Sequence, residues 1–442
     1  MATEIRPELL TPEPSLPEVH SSVGVSRSPF YWRRLIGYLG PGFLISVGYM
    51  DPGNWATDIA GGSRFGYTLL FVIMASNLMA ILLQSLSLKL GVATERDLAQ
   101  LCRESTSRWT GITLWLMAEI AIAACDLAEV IGSAIALNLL FHIPLFWGVL
   151  ITGLDVLLIL LLQRWGFRTV EAIVIALIGT ILVLFGVQMF LSRPEYGAAL
   201  GSLFVPSSMI LKNREMLYIA IGMLGATVMP HNLYLHSSIV QSRRYKRTSA
   251  GKREAIKMAN IDSALALTIA LFVNAAILIV AAAVFHRSGH FEVAAIEDAY
   301  KLLSPLLGAG FASTLFAVAL LASGQNSSIT GTLAGQVVME GFIQMKLSPW
   351  LRRLITRSIA IVPTIAVVWF YGARGTEKLL ILSQVILSLQ LSFAVVPLVI
   401  FTSSRKQMGE FVNRPLVKWT AWAIAALIAG LNAWFLVLMF RS

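Results

Sequence analysis

The chain has 442 residues, of which 57% are hydrophobic and only 13% are charged. Soluble domains carry about 25% charged residues, so this composition excludes a water-soluble enzyme with a polar surface and, for most of the length, intrinsic disorder. The net charge of +10 does not indicate nucleic-acid binding, because the Lys and Arg residues lie in short stretches between apolar runs, as in polytopic membrane proteins.

Residues 1–30 are rich in Pro, Glu and Ser and lack an apolar run of signal-peptide length. We predict that they form a disordered cytoplasmic tail, so the first span has to act as its own insertion signal. Later stretches are apolar and long enough to cross the roughly 30 Å hydrocarbon layer of a bilayer. The predicted spans are 35–62, 67–90, 110–140, 144–163, 168–191, 216–242, 258–285, 310–342, 351–371, 376–402 and 416–440. The predicted fold class is an all-α polytopic membrane protein with 11 transmembrane helices.

The basic residues favour one side of this arrangement. If the amino terminus lies inside, most of the 34 Lys and Arg residues fall on inner segments, including the run from Arg243 to Lys257. Cytoplasmic segments of membrane proteins carry such an excess. The amino terminus is therefore predicted to be cytoplasmic, and the odd number of spans puts Ser442 outside. The short tails favour a bacterial plasma membrane.

The first predicted span is interrupted by a charge beside two helix breakers. Asp51, Pro52 and Gly53 fall near its middle, where proline removes a backbone donor and glycine removes steric restraint. Unwound backbone at that depth is tolerated where it lines a cavity or binds something, and a lone carboxylate costs about 2.5–3.5 kcal/mol on insertion scales. The pattern favours a binding site, and a kinked helix with a satisfied structural Asp is the alternative.

Span six contains a similar interruption, with Pro230 directly after Met229 and Asn232 two places further on. The breaks lie in spans one and six, so each break is in the first span of a five-span unit. Because five is an odd number, the second unit has the opposite orientation in the membrane. This is the pattern of an inverted-repeat transporter with a site at the membrane midplane. The predicted units are a first five-helix repeat, a second and inverted five-helix repeat and an eleventh helix, over residues 31–195, 196–405 and 406–442.

Donor atoms at the two breaks suit a divalent cation. Asp51 offers an anionic oxygen, Asn54 offers a neutral one, and the frayed helix ends offer carbonyls such as those of Gly48 and Ala226. Met229 adds a soft thioether, which favours Mn²⁺, Fe²⁺ and later transition metals over Ca²⁺ and Mg²⁺. Methionine is also an ordinary gap filler in apolar cores, so both interpretations of Met229 stay open. A single carboxylate suits transient binding rather than storage.

Motifs at these breaks make the sequence similar to the Nramp family of proton-coupled divalent-metal transporters. The two main motifs are Met50-Asp51-Pro52-Gly53-Asn54 and Ala226-Thr227-Val228-Met229-Pro230-His231-Asn232-Leu233-Tyr234-Leu235-His236-Ser237. Further matches are Glu119, Asp126-Leu127-Ala128-Glu129 and Ile381-Leu382-Ser383-Gln384. The resemblance covers nearly the whole chain. It implies a LeuT-like fold with a 5+5 inverted repeat, discontinuous helices 1 and 6 and an additional eleventh helix. It also implies that the protein imports Mn²⁺ and Fe²⁺, as bacterial members of the family do.

The resemblance also implies roles for individual residues. The metal ligands would be Asp51, Asn54, Met229 and the carbonyl of Ala226, with Gly48 and Gln384 contributing in particular conformations. Proton movement and gating would use His231, His236, Glu119, Asp126, Glu129 and Arg353. The metal ion would be the transported substrate and the proton the coupling ion. No permanently bound cofactor is implied, and no obligate protein partner is evident beyond the lipid bilayer.

Three acids in span three admit two interpretations. Glu119, Asp126 and Glu129 are spaced seven and three residues apart, which puts them on one helix face. Acids in a membrane helix should face the bundle and not the lipid. We interpret them as a proton relay, and buried ion pairs, with Arg353 as a partner, are the alternative. His231 is similarly open, because it could titrate in the working range or cap the broken helix.

Other functions fit the sequence less well than metal import does. An amino-acid/cation symporter on the LeuT scaffold would also use broken helices, but Asp51 would repel the substrate carboxylate. A Mg²⁺ transporter of the same superfamily would not need Met229. The paired breaks and the missing sensor domain argue against a channel or a metal-sensing receptor, and no P-loop precedes a helix to support a nucleotide-driven pump.

Overall fold

The structure is a computed structural model that describes residues 14–26, 28–154, 165–293, 295–344 and 349–440. Most of this described part is α-helical. In chain order the α-helices are α1 (Tyr31–Tyr38), α2 (Pro41–Gly48), α3 (Pro52–Phe65), α4 (Leu70–Thr94), α5 (Leu98–Ser105), α6 (Arg108–Phe141), α7 (Leu145–Thr152), α8 (Phe167–Ser192), α9 (Tyr196–Phe204), α10 (Met209–Lys212), α11 (Arg214–Val228), α12 (Pro230–Ile239), α13 (Ser249–Ala281), α14 (Ile296–Leu307), α15 (Ala312–Ile343), α16 (Pro349–Thr402), α17 (Arg405–Met408) and α18 (Pro415–Phe440). Two short strands, β1 (Val23–Gly24) and β2 (Arg243–Arg244), pair in parallel.

Seven segments of the described part are long and apolar enough to cross a membrane. They are Leu70–Thr94, Arg108–Phe141, Phe167–Ser192, Arg214–Ser242, Ser249–His286, Gly375–Thr402 and Pro415–Phe440. These segments coincide with predicted spans two, three, five, six, seven, ten and eleven. Span eight corresponds to α15, and span four continues into residues 155–164, which lie outside the described part. The chain is therefore a multi-pass membrane protein.

Predicted spans nine and ten fall within one helix, α16, which has 54 residues and no assigned break. A straight α-helix of that length would measure roughly 80 Å, more than twice the hydrocarbon thickness. The predicted interruption between 371 and 376 is absent from this helix. The connecting residues include no proline, so each of their N–H groups can stay in the helical pattern. The count of eleven helices and the boundaries of the two repeats stay predictions.

The interruptions predicted in spans one and six are confirmed. Span one consists of α2 and α3, separated at residues 49–51, and span six consists of α11 and α12, separated at Met229. Pro52 and Pro230 each occupy the first position of the second half, where a missing N–H costs least. Met229 has a φ of +31°, a conformation that residues with a side chain rarely adopt.

Both broken helices lie at the centre of the bundle. Helix α13 packs against α2, α3 and α4, while α16 packs against α6 and α11. Every residue of α12 and the last ten residues of α11 are buried. The unwound segments are thus surrounded by protein, which is the condition under which a membrane protein tolerates them.

Residues 14–26 depart from the sequence prediction. Leu16 and Val19 are only 1% and 8% exposed, and the Leu16 N–H donates to Glu340 Oε2 at 2.9 Å. Strand β1 also lies in this segment and pairs with β2. The prediction of a disordered tail over residues 1–30 is therefore wrong for this part, because two inserted apolar side chains and backbone hydrogen bonds anchor it.

Candidate metal site

The break in span one exposes carbonyls that side chains then satisfy. Gly48 lies four residues before Pro52, so its carbonyl lacks the N–H that would normally close a helical turn. The next carbonyl, that of Tyr49, accepts from Asn54 Nδ2 at 2.9 Å and from Asn274 Nδ2 at 2.7 Å. Protein side chains therefore hold this backbone unwound. The Gly48 carbonyl loses its helical donor to the proline and accepts only a long hydrogen bond from the Asp51 N–H, at 3.4 Å, among the described backbone groups.

The break in span six repeats this arrangement. Ala226 lies four residues before Pro230, so its carbonyl also loses its helical donor. The two carbonyls predicted as metal ligands, those of Gly48 and Ala226, are thus the two that the prolines release. Each lies in the last turn of a half-helix, α2 or α11, where the helix dipole carries partial negative charge. Both helix ends therefore favour a cation.

The two breaks are in contact. A Cβ added to Gly48 would lie 3.0 Å from Met229 Sδ and 2.4 Å from Asn232 Nδ2, so side chains of the second break touch the backbone of the first. Gln384 of α16 joins them, because a Cβ on Gly53 would lie 1.8 Å from Gln384 Nε2. Only glycine at positions 48 and 53 permits these approaches.

The predicted ligands are sealed from solvent. Asp51, Asn54, Met229 and Gln384 are between 0% and 2% exposed. Asp51 Oδ1 accepts the Asn54 N–H at 2.8 Å and so caps α3. The amide oxygens of Asn54 and Gln384 have no hydrogen-bond partner in the described part of the structure, although buried acceptors are normally satisfied.

This donor set differs from that of a storage site. Among the described residues, no three His, Cys, Asp or Glu side chains cluster as metal ligands. The donors predicted at the two breaks are instead one carboxylate, neutral amide oxygens, two carbonyls at helix ends and a thioether. Such a set combines hard oxygen with soft sulfur, and its single negative charge leaves a dication only partly neutralised. The chemistry suits a divalent transition metal that binds and leaves.

Both histidines predicted for gating are buried on α12. His236 Nδ1 lies 2.9 Å from Gln84 Oε1, and Gln84 Nε2 donates to the Tyr49 hydroxyl at 2.9 Å. This chain of hydrogen bonds links the inner half of span six to the break in span one. His231 Nδ1 and His236 Nε2 have no partner in the described ranges, so each ring keeps one nitrogen available to a proton or a water molecule.

Two of the three acids of span three lie together. Asp126 and Glu129 are fully buried, and a Cβ on Gly331 of α15 would lie 3.3 Å from Asp126 Oδ1 and 2.8 Å from Glu129 Oε1. Glu129 accepts hydrogen bonds from Ser327 Oγ at 2.9 Å and Ser328 Oγ at 3.1 Å. The position of Gly331 thus gives room to two carboxylates, in addition to allowing close helix packing.

Glu119 has different surroundings. It is only partly buried, and its carboxylate accepts the indole N–H of Trp115 at 3.1 Å, one turn earlier on α6. The expectation that all three acids face the interior therefore holds fully for two of them and only in part for Glu119. The side chain of Arg353 lies outside the described part, so its pairing with these acids stays a prediction.

Sequence reasoning missed three residues that support the breaks. Gln84 and Asn274 contact Tyr49 as described above, and Ser323 Oγ donates to the Met50 carbonyl at 2.5 Å. Each is a polar side chain within an otherwise apolar predicted span. A polar residue in an apolar span can be noticed in the sequence. Its hydrogen-bond partner cannot be predicted in this way, because the partners lie on other helices.

Buried charges fix the start of α2. Glu171 of α8 and Arg243, each 1% exposed at the side chain, pair at 2.8 Å, and Arg243 Nη2 donates to the Leu39 carbonyl at 2.6 Å. Asp262 of α13 accepts the N–H groups of Gly40 and Gly42 at 3.1 and 2.6 Å. A carboxylate at a helix N-terminus is stabilising. The inner half of span one is thereby held against α8 and α13.

Glu171→Gln is expected to release this contact. Removing one partner of a buried ion pair costs about 3–5 kcal/mol, because the other charge stays buried without compensation. We expect a cysteine introduced at Ser238, which is 6% exposed, to react at least about tenfold faster with a maleimide supplied from the inner side. Glu410→Gln, which removes the more exposed pair with Arg253, is the control. Equal labelling rates in the two variants would show that the buried pair does not hold α2.

Comparisons with known proteins agree with this geometry. The family profile described as "Natural resistance-associated macrophage protein-like" matches residues 42–438. A divalent metal cation transporter MntH from Nostoc sp. is 62% identical over 424 residues, which are 96% of each chain. A divalent metal cation transporter MntH from Bradyrhizobium diazoefficiens is 61% identical over 418 residues, which are 95% of this chain and 93% of the relative.

Solved structures give the same result at the level of the fold. The manganese transporter of Eremococcus coleocola is 45% identical, with a TM-score of 0.88 over 95% of this chain and 90% of that one. Mhp1, a nucleobase-cation-symport-1 family transporter, is 14% identical, with a TM-score of 0.62 over 97% of this chain and 92% of that one. The second likeness shows a shared fold alone.

Proposed function

Since the chain belongs to the Nramp family, a family of metal-ion transporters, we propose that it imports Mn²⁺ and Fe²⁺ together with protons across the plasma membrane by alternating access. The observation that carries this proposal is the contact between the two breaks, where Met229 Sδ meets the backbone of Gly48. The metal ion is cargo, so the proposal requires no resident cofactor. The amino terminus faces the cytoplasm in this arrangement, as the positive-inside bias predicts.

The donor set supports a transition metal over an alkaline earth. Ca²⁺ and Mg²⁺ take oxygen ligands and gain little from a thioether, whereas Mn²⁺ and Fe²⁺ accept mixed oxygen and sulfur donors. Asp51 supplies the negative charge, and the carbonyls of Gly48 and Ala226 replace water molecules. The Tyr49 carbonyl orients the amide of Asn54, and the Ser383 hydroxyl, at 3.0 Å, orients that of Gln384. Met229 then supplies the preference among dications.

Release to the inner side requires the half-helices α2 and α12 to separate. Two contacts oppose that movement: the Glu171–Arg243 pair beside the start of α2 and the bond between His236 and Gln84. In folds of this class, one bundle rocks against the other around a fixed site. The membrane potential adds about 2.3 kcal/mol per charge per 100 mV to inward movement of a cation.

The proposed proton route follows the buried acids. Asp126 and Glu129 lie on α6, and His231 lies on the facing half-helix α12, which contacts α6. His231 Nδ1, which has no hydrogen-bond partner in the part of the chain that the structure describes, and the hydroxyl partners of Glu129 provide groups that can accept and donate protons. Cys125 Sγ lies 4.0 Å from Asp51 Oδ2 and 3.7 Å from Glu129 Oε1, so this route begins beside the metal site. The proton and the dication would then occupy different carboxylates.

The proposal is tested by Mn²⁺ uptake into liposomes that contain the purified protein. We expect uptake to rise when the outside is made more acidic than the inside, with Fe²⁺ competing strongly and Ca²⁺ and Mg²⁺ competing weakly. Protein-free liposomes under the same gradient are the control. Uptake that is independent of the pH gradient would contradict proton coupling, and strong competition by Mg²⁺ would instead favour the magnesium-transporting relatives.

A further inference from the structure

A cavity of about 590 Å³ lies on the basic side of the protein, away from the metal site. It is bounded by residues 25, 26, 28 and 29, by α1 and by the first turn of α13. The lining includes Ser26, Arg34, Arg244, Tyr245, Lys246 and Thr248. Nothing in the transport proposal uses these residues.

Positive charge exceeds negative charge around this cavity. Arg34 is paired with the lining residue Glu254 at 2.6 Å, so these two charges offset each other. Arg244 donates to the Ser21 carbonyl at 3.2 Å through Nε and Nη2, and within the described ranges no carboxylate pairs with it. Lys246 is exposed, and among the described residues it forms no ion pair. The lining therefore keeps two unneutralised cations.

Two neutral features also point toward an anion. Tyr245 is 7% exposed, its hydroxyl has no hydrogen-bond partner in the described part, and the residue lines the cavity. The guanidinium of Arg247 lies 5.3 Å from the centre of its ring, which fixes the phenol. The cavity also meets the N-terminus of α13, a helix of 33 residues. Its Gly251 N–H donates to the Thr248 hydroxyl at 3.3 Å, while the helix dipole and the other first-turn N–H groups favour a bound anion.

The flanking aromatic residues give the depth of the cavity in the membrane. Phe30 and Trp32, at the start of α1, are 65% and 71% exposed. Exposed aromatic side chains of this kind lie at the headgroup layer of a bilayer. Their position therefore indicates that the cavity lies close to the depth of the lipid phosphates.

We propose that this cavity binds the phosphate of an anionic phospholipid headgroup. Lys246 and Arg244 would supply charge, the Tyr245 hydroxyl would donate a hydrogen bond, and the first turn of α13 would add its N–H groups. Because Arg34 and Tyr38 of α1 also line the cavity, a bound headgroup contacts the helix that leads into α2. Lipid binding would therefore hold the inner half of span one in place.

The test compares variants of the full-length protein in phosphatidylcholine nanodiscs with increasing phosphatidylglycerol, and retained lipid is counted by native mass spectrometry. Lys246→Ala is expected to weaken phosphatidylglycerol retention about fivefold, since a basic residue near an anionic surface is worth about 1 kcal/mol. Tyr245→Phe, which removes only the hydroxyl, is expected to weaken it by a similar factor. Lys406→Ala, which removes an exposed basic residue outside the cavity, is the control and should retain the lipid.

Each outcome decides the proposal. Equal losses in Lys246→Ala and Lys406→Ala would mean that only general surface charge attracts the lipid, and would overturn the site. Unchanged retention in Tyr245→Phe would contradict the proposed site, because that site needs the Tyr245 hydroxyl as a hydrogen-bond donor. A second arm supplies inorganic phosphate in phosphatidylcholine alone. Protection of residues 244–251 from hydrogen exchange by phosphate, but not by phosphatidylglycerol, would assign the cavity to a soluble anion and overturn the lipid assignment.

Discussion

Asp51→Ala is expected to reduce Mn²⁺ uptake by more than roughly 100-fold, to the level of protein-free liposomes. Asp51 is the only acidic residue in either break motif, so its loss removes the full negative charge that faces the dication. Groups that merely orient a metal ligand are worth about 10–100-fold in affinity, and a charged ligand should exceed that. The measurement is initial Mn²⁺ uptake at saturating pH gradient, normalised to reconstituted protein.

A second variant separates the charge of Asp51 from its structural role. The carboxylate also caps α3 by accepting the Asn54 N–H, and loss of an N-cap costs about 0.5–2 kcal/mol. Asn caps helices as well as Asp does, so Asp51→Asn should keep the break and the fold but lose the charge. We expect it to be as inactive as Asp51→Ala. Uptake near the wild-type rate in Asp51→Asn would mean that the carboxylate is not a metal ligand.

The two breaks could be predicted because their causes are local. Pro52 and Pro230 remove backbone donors wherever they stand, and Asp51 at the same depth makes an ordinary lipid-facing kink expensive. The carbonyls of Gly48 and Ala226 follow by counting four residues back. These parts of the site are fixed by residues close together in the chain, so a pattern in the sequence is enough to find them.

The supporting contacts could not be predicted, because their partners are distant in the chain. Asn274 reaches the Tyr49 carbonyl across 225 residues, and Gln84 reaches His236 across 152. Local composition shows only that each is a polar residue in an apolar span. Which backbone group or side chain it meets depends on helix packing, and helical spacing carries no information about the neighbouring helix.

The prediction of a disordered amino-terminal segment was wrong for a related reason. Its composition is that of a disordered tail, since residues 14–26 include no periodic apolar pattern. Leu16 and Val19 nevertheless insert into the core, and Glu340 on α15 receives the Leu16 N–H. Order here comes from the surface on which the segment lies, and that surface forms only when α12 and α15 are in place.

Met229→Ala is expected to lower the selectivity for Mn²⁺ over Ca²⁺ roughly tenfold, which corresponds to about 1.4 kcal/mol. The thioether is the one soft donor among the predicted ligands, and sulfur attracts a transition metal more than an alkaline earth. The carboxylate, amides and carbonyls remain, so the variant should still bind dications. The measurement is the ratio of Mn²⁺ to Ca²⁺ uptake in liposomes at equal pH gradient.

Met223→Ala provides a matched control for that experiment. Met223 lies on the same helix α11 and is equally buried, at 1% exposure, but its methyl group packs near Gly61 and not at the break. Loss of a buried methionine side chain costs about 2–5 kcal/mol of stability in either variant, so both should lose stability while only Met229→Ala loses selectivity. If the two variants show the same Mn²⁺/Ca²⁺ ratio as the wild type, Met229 is a gap filler and the soft-ligand argument fails.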